Sequence, residues 1–193
     1  MGAMDILKFD YNIFLIGFMG TGKSTVAKCL SKLFAMDMVE MDEIIALREG
    51  MSISDIFKTH GEQYFRNIET SLLIEMQSRS NVVISCGGGT PLRESNVTEM
   101  RKNGRVVLLT ADPATIYERV KDEHDRPLLE NNKNVDFIAD LMEQRREKYE
   151  DAADIIIKTD GKCMNEICEE VVRCLTDEKI NCKSRGENHG TKN

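Results

Sequence analysis

The sequence predicts an α/β fold of three layers, α/β/α, in which helices cover both faces of a parallel sheet. Five apolar runs of strand length alternate with amphipathic stretches, and a glycine-rich loop separates the first run from the next helix. Parallel strands need long crossover connections, and strands buried on both faces are almost continuously apolar. The five runs are YNIFLIG (11–17), MDMVEMD (36–42), NVVISCG (81–87), RVVLLT (105–110) and ADIIIK (153–158).

Start and stop signals locate the helices in the second half of the chain. Asp112 and Pro113 predict an N-cap followed by a proline at the first helical position, and this helix should end near Asp122. Helical spacing resumes over 138–152, before the last strand. A closing helix is expected at about 162–176.

A chain of 193 residues, 41% of them hydrophobic, is long enough for one domain with a full core. We expect a single domain over residues 1–177. Within it, the polar, turn-forming segment EHDRPLLENNKN predicts a mobile lid at about 122–135. The polar residues 178–193 have little to bury, so we expect a disordered tail.

Charge and hydropathy narrow the possible partners. The net charge of -7, from 33 acidic and 26 basic residues, argues against a nucleic-acid partner, which needs clustered positive charge. No stretch approaches the roughly 18 apolar residues of a membrane span, and the chain does not begin as a signal peptide does. We therefore expect a cytoplasmic protein that acts on small molecules, with neither a nucleic-acid nor a membrane partner.

The segment GFMGTGKS at 17–24 matches the phosphate-loop pattern G-x-x-x-x-G-K-[ST] between a strand and a helix. Its glycines let backbone amides converge on phosphates at the positive end of the helix. Lys23 should reach the β- and γ-phosphates, and the Ser24 hydroxyl should bind Mg²⁺. The predicted nucleotide contacts in the loop are Gly20, Thr21, Gly22, Lys23, Ser24 and Thr25. The loop thus predicts transfer or hydrolysis of a phosphoryl group.

Other sequence features separate the classes of phosphate-loop protein. The guanine-reading NKxD and the switch DxxG of GTPases do not occur. The strands VVISC and RVVLLT end without the acidic residue that ATP-driven motors and transporters usually carry there. The acids that could serve magnesium are instead Glu40 and Asp42, just beyond the second predicted strand.

Six motifs in order, GFMGTGKST, MDEII, YFRNIE, SCGGGT, DRPLL and QRREKY, resemble those of shikimate kinases over roughly residues 12–160. The resemblance implies a P-loop kinase fold related to nucleoside monophosphate kinases, with a five-stranded parallel sheet ordered 2-3-1-4-5 and a lid. It also implies a monomeric, Mg²⁺-dependent enzyme. Such an enzyme transfers the γ-phosphate of ATP to the 3-hydroxyl of shikimate, giving 3-phosphoshikimate and ADP on the route to chorismate and the aromatic amino acids.

The acceptor, a small carboxylate with three hydroxyls, needs fixed cations and polar groups around it. Arginine pairs with a carboxylate through two parallel bonds, and the resemblance assigns this role to Arg66 and Arg145. Arg145 is chosen over Arg146 because Tyr149 follows it in the register R-x-x-x-Y, and adjacent residues cannot share one helix face. The resemblance also places three glycines of a strand-to-helix turn against the substrate: Gly87, Gly88 and Gly89.

The remaining predicted roles concern the reaction and the nucleotide. Asp42 should orient the 3-hydroxyl and accept its proton, although it is also a candidate helix N-cap. Glu40 replaces the aspartate usual in the family, and its longer side chain should reach a magnesium-bound water. Arg126 of DRPLL matches the lid arginine that stabilises the transferring phosphoryl group, as Lys23 does from the loop. Arg119 matches an arginine that packs on adenine, and a surface helix arginine is the alternative.

Two alternative functions remain open from the sequence. A gluconate or nucleoside monophosphate kinase could share the scaffold and the phosphate loop, although the triple glycine and DRPLL together favour shikimate. A regulatory module that has lost catalysis is the second alternative, and Glu40 is the departure that suggests it.

Overall fold

The computed structural model describes residues 9–121 and 134–176 of the chain. The strands are β1 (Asn12–Ile16), β2 (Asp37–Glu40), β3 (Val82–Ser85), β4 (Gly104–Thr110) and β5 (Ile155–Lys158). The α-helices are α1 (Lys23–Phe34), α2 (Met41–Glu49), α3 (Ile53–His60), α4 (Glu62–Met76), α5 (Glu94–Lys102), α6 (Pro113–Val120), α7 (Val135–Ala152) and α8 (Met164–Thr176). A short 3₁₀ helix lies at Thr90–Leu92.

The five strands form one parallel sheet in the order β2-β3-β1-β4-β5, which confirms the predicted fold. Each predicted apolar run contains one strand. The chain moves from β1 to the outer β2 and returns through β3, so the order reverses between β1 and β3. In open parallel sheets, ligands bind beyond the carboxyl ends of the strands at such a reversal. The phosphate loop and the triple glycine both follow strands at this point.

The sheet separates two apolar layers, as the alternation of strand side chains requires. From β1, Phe14 and Ile16 pack into one layer, while Ile13 and Leu15 pack into the other, and all four are fully buried. The first layer lies against α4 and α7, and the second lies against α1 and α8. The strand that carries the phosphate loop is therefore held rigidly from both sides.

The predicted start of α6 is confirmed in position and corrected in detail. Pro113 occupies the first helical turn and the helix ends at Val120, near the predicted Asp122. The Asp112 side chain, however, makes no capping bond. It forms an ion pair with Lys158 at 3.0 Å, and the Asp112 amide donates to the Asp160 carboxylate at 2.9 Å. These contacts tie the start of α6 to the end of β5.

Several predictions lie outside the described residues. Among them are residues 122–133 of the lid predicted at about 122–135, including Arg126, and the tail at 178–193. Within the described ranges, no helix is both long and apolar enough to cross a membrane.

Candidate active site

The phosphate loop has the backbone conformation that its glycines permit. Gly17, Gly20 and Gly22 have φ values of 141°, 76° and 95°, a region that side chains with a Cβ rarely adopt. Gly22 occupies the N-cap position of α1, so the loop leads directly into a helix N-terminus. Lys23 Nζ donates to the carbonyls of Gly17 at 3.0 Å and Phe18 at 3.1 Å, which keeps the ammonium group within the loop.

Arg119 lies beside the phosphate loop rather than on a remote surface. Its guanidinium donates to the Gly20 carbonyl at 3.0 Å and to the Thr159 hydroxyl at 3.3 Å. It therefore connects the loop to the turn after β5. Val120 also packs closely on Gly20, because a Cβ added to Gly20 would lie only 2.8 Å from the Val120 Cγ1 methyl.

Glu40 and Asp42 lie at the carboxyl end of β2, beside the start of α1. Glu40 pairs in register with Ser85 of β3, and burial raises its pKa, although the hydroxyls of Ser24 and Ser85 partly oppose that rise. Its Oε2 atom is buried and has no hydrogen-bond partner among the described residues. Glu40, not Asp42, is the N-cap residue of α2, so the predicted capping role of Asp42 is wrong. Asp42 lies in the first turn of that helix.

The triple glycine passes close to polar side chains of the site. A Cβ on Gly87 would lie 2.9 Å from both Asp42 Oδ1 and Glu69 Oε1, and a Cβ on Gly89 would collide with the Arg66 guanidinium. The close neighbours of Gly87 and Gly89 are thus protein side chains, and the predicted contact of the triple glycine with the substrate stays a prediction. The turn brings Asp42 and Arg66 to one place.

Arg66 is held in position by carboxylates and aromatic rings. Its guanidinium pairs with Glu69 at 2.7 Å and with Glu62 at 3.0 Å, and it lies 5.4 Å from the ring centre of Phe65 and 5.8 Å from that of Phe57. Such contacts limit the orientations of the planar guanidinium.

Glu69 is a site residue to which sequence reasoning assigned no role. It is fully buried, pairs with Arg66, and accepts a 2.6 Å hydrogen bond from the Thr90 hydroxyl just after the triple glycine. Burial raises its pKa despite the neighbouring Arg66. The spacing of Arg66 and Glu69, three residues apart on one helix, was the available signal.

The two adjacent arginines of α7 point in different directions. Arg145 lines the cavity, with its guanidinium 5.8 Å from the ring centre of Phe18 in the phosphate loop. Arg146 is exposed and pairs with Glu143 at 2.8 Å on the surface. Of the two, the structure thus brings Arg145 to the other predicted site residues.

These groups surround one cavity of about 1000 Å³. Both the phosphate loop and the acceptor-side arginines contribute to its walls. The predicted site residues that line it are Gly20, Thr21, Gly22, Lys23, Ser24, Thr25, Glu40, Asp42, Arg66, Gly87, Gly88, Gly89, Arg119 and Arg145. A phosphate cradle, the two predicted carboxylates and three arginines in one cavity suit phosphoryl transfer to a small anionic acceptor.

Cys86 also lines the cavity, immediately before the triple glycine, but it is 1% exposed. Burial raises the pKa of its thiol well above the usual range, and Glu69 raises it further, so the reactive thiolate is scarce. We expect iodoacetamide to label native Cys86 roughly 100-fold more slowly than the exposed Cys163, measured by peptide mass spectrometry. Both should react in urea. Comparable native rates would contradict the described burial.

Fold and site together define a phosphate-loop kinase for small molecules. The model of the shikimate kinase family matches residues 19–176. Shikimate kinase of Dehalococcoides mccartyi is 43% identical over 165 residues, which cover 86% of this chain and 93% of the relative. Shikimate kinase of Caldanaerobacter subterraneus is 40% identical over 84% of this chain and 94% of the relative. The chain belongs to the shikimate kinase family and is an ATP-dependent phosphotransferase.

Solved structures agree with this assignment. The structure of Acinetobacter baumannii shikimate kinase in complex with shikimate has a TM-score of 0.82 at 29% identity, and the match covers 88% of this chain and 95% of that one. The Aquifex aeolicus shikimate kinase has a TM-score of 0.73 at 39% identity, over 85% and 95% of the two chains. A gluconokinase from Sinorhizobium meliloti, at 18% identity and a TM-score of 0.54, shares the fold alone.

Proposed function

We propose that this chain transfers the γ-phosphate of ATP to the 3-hydroxyl of shikimate, giving 3-phosphoshikimate and ADP for aromatic amino acid biosynthesis. The observation that supports this most is the triple-glycine turn, where Asp42 and the Arg66 guanidinium both approach the same short backbone segment. Asp42, which can accept a hydrogen bond from a substrate hydroxyl, and Arg66, which can bind a substrate carboxylate, are therefore both beside this turn. The proposal includes a cytoplasmic monomer that acts on small molecules, without nucleic-acid or membrane partners.

The donor half of the proposed site is the phosphate loop. The amides at the start of α1 and the Lys23 ammonium bind the β- and γ-phosphates, while Arg119 lies beside the loop to contact the adenine. Lys23 already lies inside the loop through its bonds to backbone carbonyls, so little reorganisation precedes binding. Arg126, outside the described residues, is proposed from its motif to stabilise the transferring phosphoryl group.

The acceptor half of the proposed site binds the shikimate carboxylate and orients its ring. Arg66 and Arg145 approach from α4 and α7, and two guanidinium groups on separate helices can hold one carboxylate in a defined orientation. The amides of Gly87 to Gly89 are the proposed donors to a ring hydroxyl. Asp42 accepts a hydrogen bond from the 3-hydroxyl, directs its oxygen in line with the γ-phosphorus, and takes its proton as the new bond forms.

The described residues also fit a magnesium ion that arrives with ATP. Magnesium in kinases is usually held by one or two carboxylates together with the phosphates, so a protein-only cluster of three acidic ligands is not required. Among the described residues no such cluster occurs. Glu40 lies near the Ser24 hydroxyl at the start of α1, and its Oε2 atom is buried without a partner among the described residues. This arrangement suits the ion, with Ser24 as a ligand and Glu40 and Asp42 acting directly or through water. When bound, the ion would supply positive charge that neutralises the phosphates during transfer.

Replacing Glu40 by Gln separates stability from activity. The folded-state pKa of Glu40 is raised above that of a carboxyl in the unfolded chain. Ionisation of Glu40 therefore destabilises the folded protein, and the free energy of unfolding falls as the pH rises from the unfolded-state pKa to the folded-state pKa. At pH 7.5 we expect Glu40→Gln to raise the melting temperature and to lower kcat/KM with MgATP by about 10- to 100-fold. Thermal unfolding at pH 5 and 7.5 and steady-state kinetics check both. A lower melting temperature with unchanged kinetics would contradict the assigned role.

The experiment that tests the function is an ADP-release assay with several acceptors in parallel. We expect rapid release with shikimate and only background release with gluconate, nucleoside monophosphates or no acceptor. Release with another acceptor would reassign the substrate. Equal ADP release in all tubes would indicate ATP hydrolysis, and its complete absence with intact ATP binding would favour a regulatory module.

A further inference from the structure

Tyr149 of α7 carries a buried hydroxyl that reaches the triple glycine. The side chain is 5% exposed, and its hydroxyl donates to the Gly88 carbonyl at 2.6 Å, across 61 residues of sequence. Burial raises the pKa of this phenol, so it remains a donor at neutral pH. Its ring packs within the apolar layer of α4 and α7. The hydroxyl is thus fixed from behind and aimed at one backbone atom.

The same hydroxyl also faces Arg145, one helical turn earlier. The positive charge of Arg145 partly opposes the rise in the Tyr149 pKa that burial causes, so the guanidinium lies near the phenol oxygen. A guanidinium only donates, whereas a phenol oxygen both donates and accepts, so one oxygen can serve both contacts. Arg145 also lies 5.8 Å from the ring centre of Phe18, so it neighbours the phosphate loop as well as Tyr149.

The Gly88 carbonyl differs from those of its two neighbours. The carbonyls of Gly87 and Gly89 accept from the amides of Thr90 and Leu92, both at 3.1 Å, within the turn itself. The Gly88 carbonyl accepts from another helix. Because a trans peptide is planar, the Gly88 carbonyl and the Gly89 amide point in opposite directions. A bond that draws this carbonyl toward α7 therefore directs the Gly89 N–H away from α7.

We infer that Tyr149 is a positioning residue for the acceptor half, which orients the triple-glycine peptides and the Arg145 guanidinium relative to each other. The inference rests on the proposed function, because it assigns shikimate to these groups. Glycine has more backbone freedom to lose than any other residue, and the Gly88 carbonyl, unlike those of its two neighbours, is bonded from another helix, so its direction depends on that contact. Tyr149 supplies that contact without touching the substrate.

The test is Tyr149→Phe, which removes one oxygen and keeps the buried ring. We expect the KM for shikimate to rise by about 5- to 20-fold, since the bond that orients the Gly88 carbonyl is lost together with the polar group beside the Arg145 guanidinium. The KM for ATP should change less than about twofold, because the phosphate loop keeps its own bonds. The matched control is Tyr11→Phe, near Arg105 at the opposite end of β1, which should leave both KM values unchanged.

A double-mutant cycle adds a readout that a purely structural role would not give. Arg145→Gln alone should weaken shikimate binding. The double variant should lose less binding free energy than the two single variants lose together, because Tyr149 acts partly through Arg145. A lower melting temperature with both KM values unchanged, or strictly additive effects, would overturn the inference. Those outcomes would leave the proposed function intact. Wild-type protein without shikimate-dependent ADP release would instead overturn both the proposed function and this inference, so the two failures are distinguishable.

Discussion

Asp42→Asn should lower kcat with shikimate by about 10²- to 10⁴-fold, the range typical of a lost general base. Asparagine keeps the size and one acceptor oxygen of aspartate but cannot take the proton of the attacking hydroxyl. The Asp42 side chain lies against the triple glycine and beside Glu69, and an asparagine of the same size should occupy the same place. Shikimate should therefore still bind in its usual position. The KM for shikimate should therefore rise far less than kcat falls. Steady-state kinetics at saturating ATP measure both.

The matched control for this variant is Asp37→Asn, at the amino end of β2, the strand that precedes Asp42. Asp37 pairs with Arg79 at 2.8 Å on the surface, where an ion pair contributes little to stability. Its replacement should leave kcat unchanged. Near-normal turnover by Asp42→Asn would show that Asp42 does not act as the base, and an equal loss in both variants would point to a general effect of charge.

Lys23→Ala should lower kcat by at least about 10²- to 10³-fold, because a preorganised cation would be missing where charge develops. It should fail differently from Asp42→Asn. The phosphate loop would lose its side-chain cation and the two bonds to the Gly17 and Phe18 carbonyls, so we expect weaker ATP binding as well. Titration calorimetry with a nonhydrolysable ATP analogue measures that second loss.

Lys28→Ala is the corresponding control, because Lys28 is exposed on the same helix, α1. It should bind the analogue and turn over like the wild type. If Lys23→Ala bound the analogue with unchanged affinity and kept its kcat, the phosphate-loop lysine would have no part in the reaction.

The strands were predictable from sequence because they are buried on both faces. The run VVIS is buried at every position and its first three residues are apolar, and this nearly continuous pattern distinguishes a central parallel strand from a half-exposed one. The strand order was less accessible from the residues alone. It came from the resemblance, since periodicity does not say which strands are neighbours.

Local spacing predicted those parts of the site that lie within one motif. Gly17 to Ser24 form a single loop, so their pattern already specifies a phosphate cradle. The choice of Arg145 over Arg146 used a helical register, and the structure brings Arg145 to the cavity.

Contacts between distant segments were beyond such reasoning. Glu69 meets Thr90 across 21 residues and Tyr149 meets Gly88 across 61, and no local pattern encodes either pair. In the sequence, Tyr149 indicates only the helical register of Arg145. Glu69 and Tyr149 act by holding other site residues in place, and these contacts exist only in the packed structure.

The most direct test of the central claim is identification of the product. After incubation with ATP, Mg²⁺ and shikimate, phosphorus NMR should show one new monoester at the 3-hydroxyl, formed in equal amount with ADP. Inorganic phosphate in place of the ester, or an ester at another hydroxyl, would contradict the claim that Asp42 and the phosphate loop act on one bound acceptor.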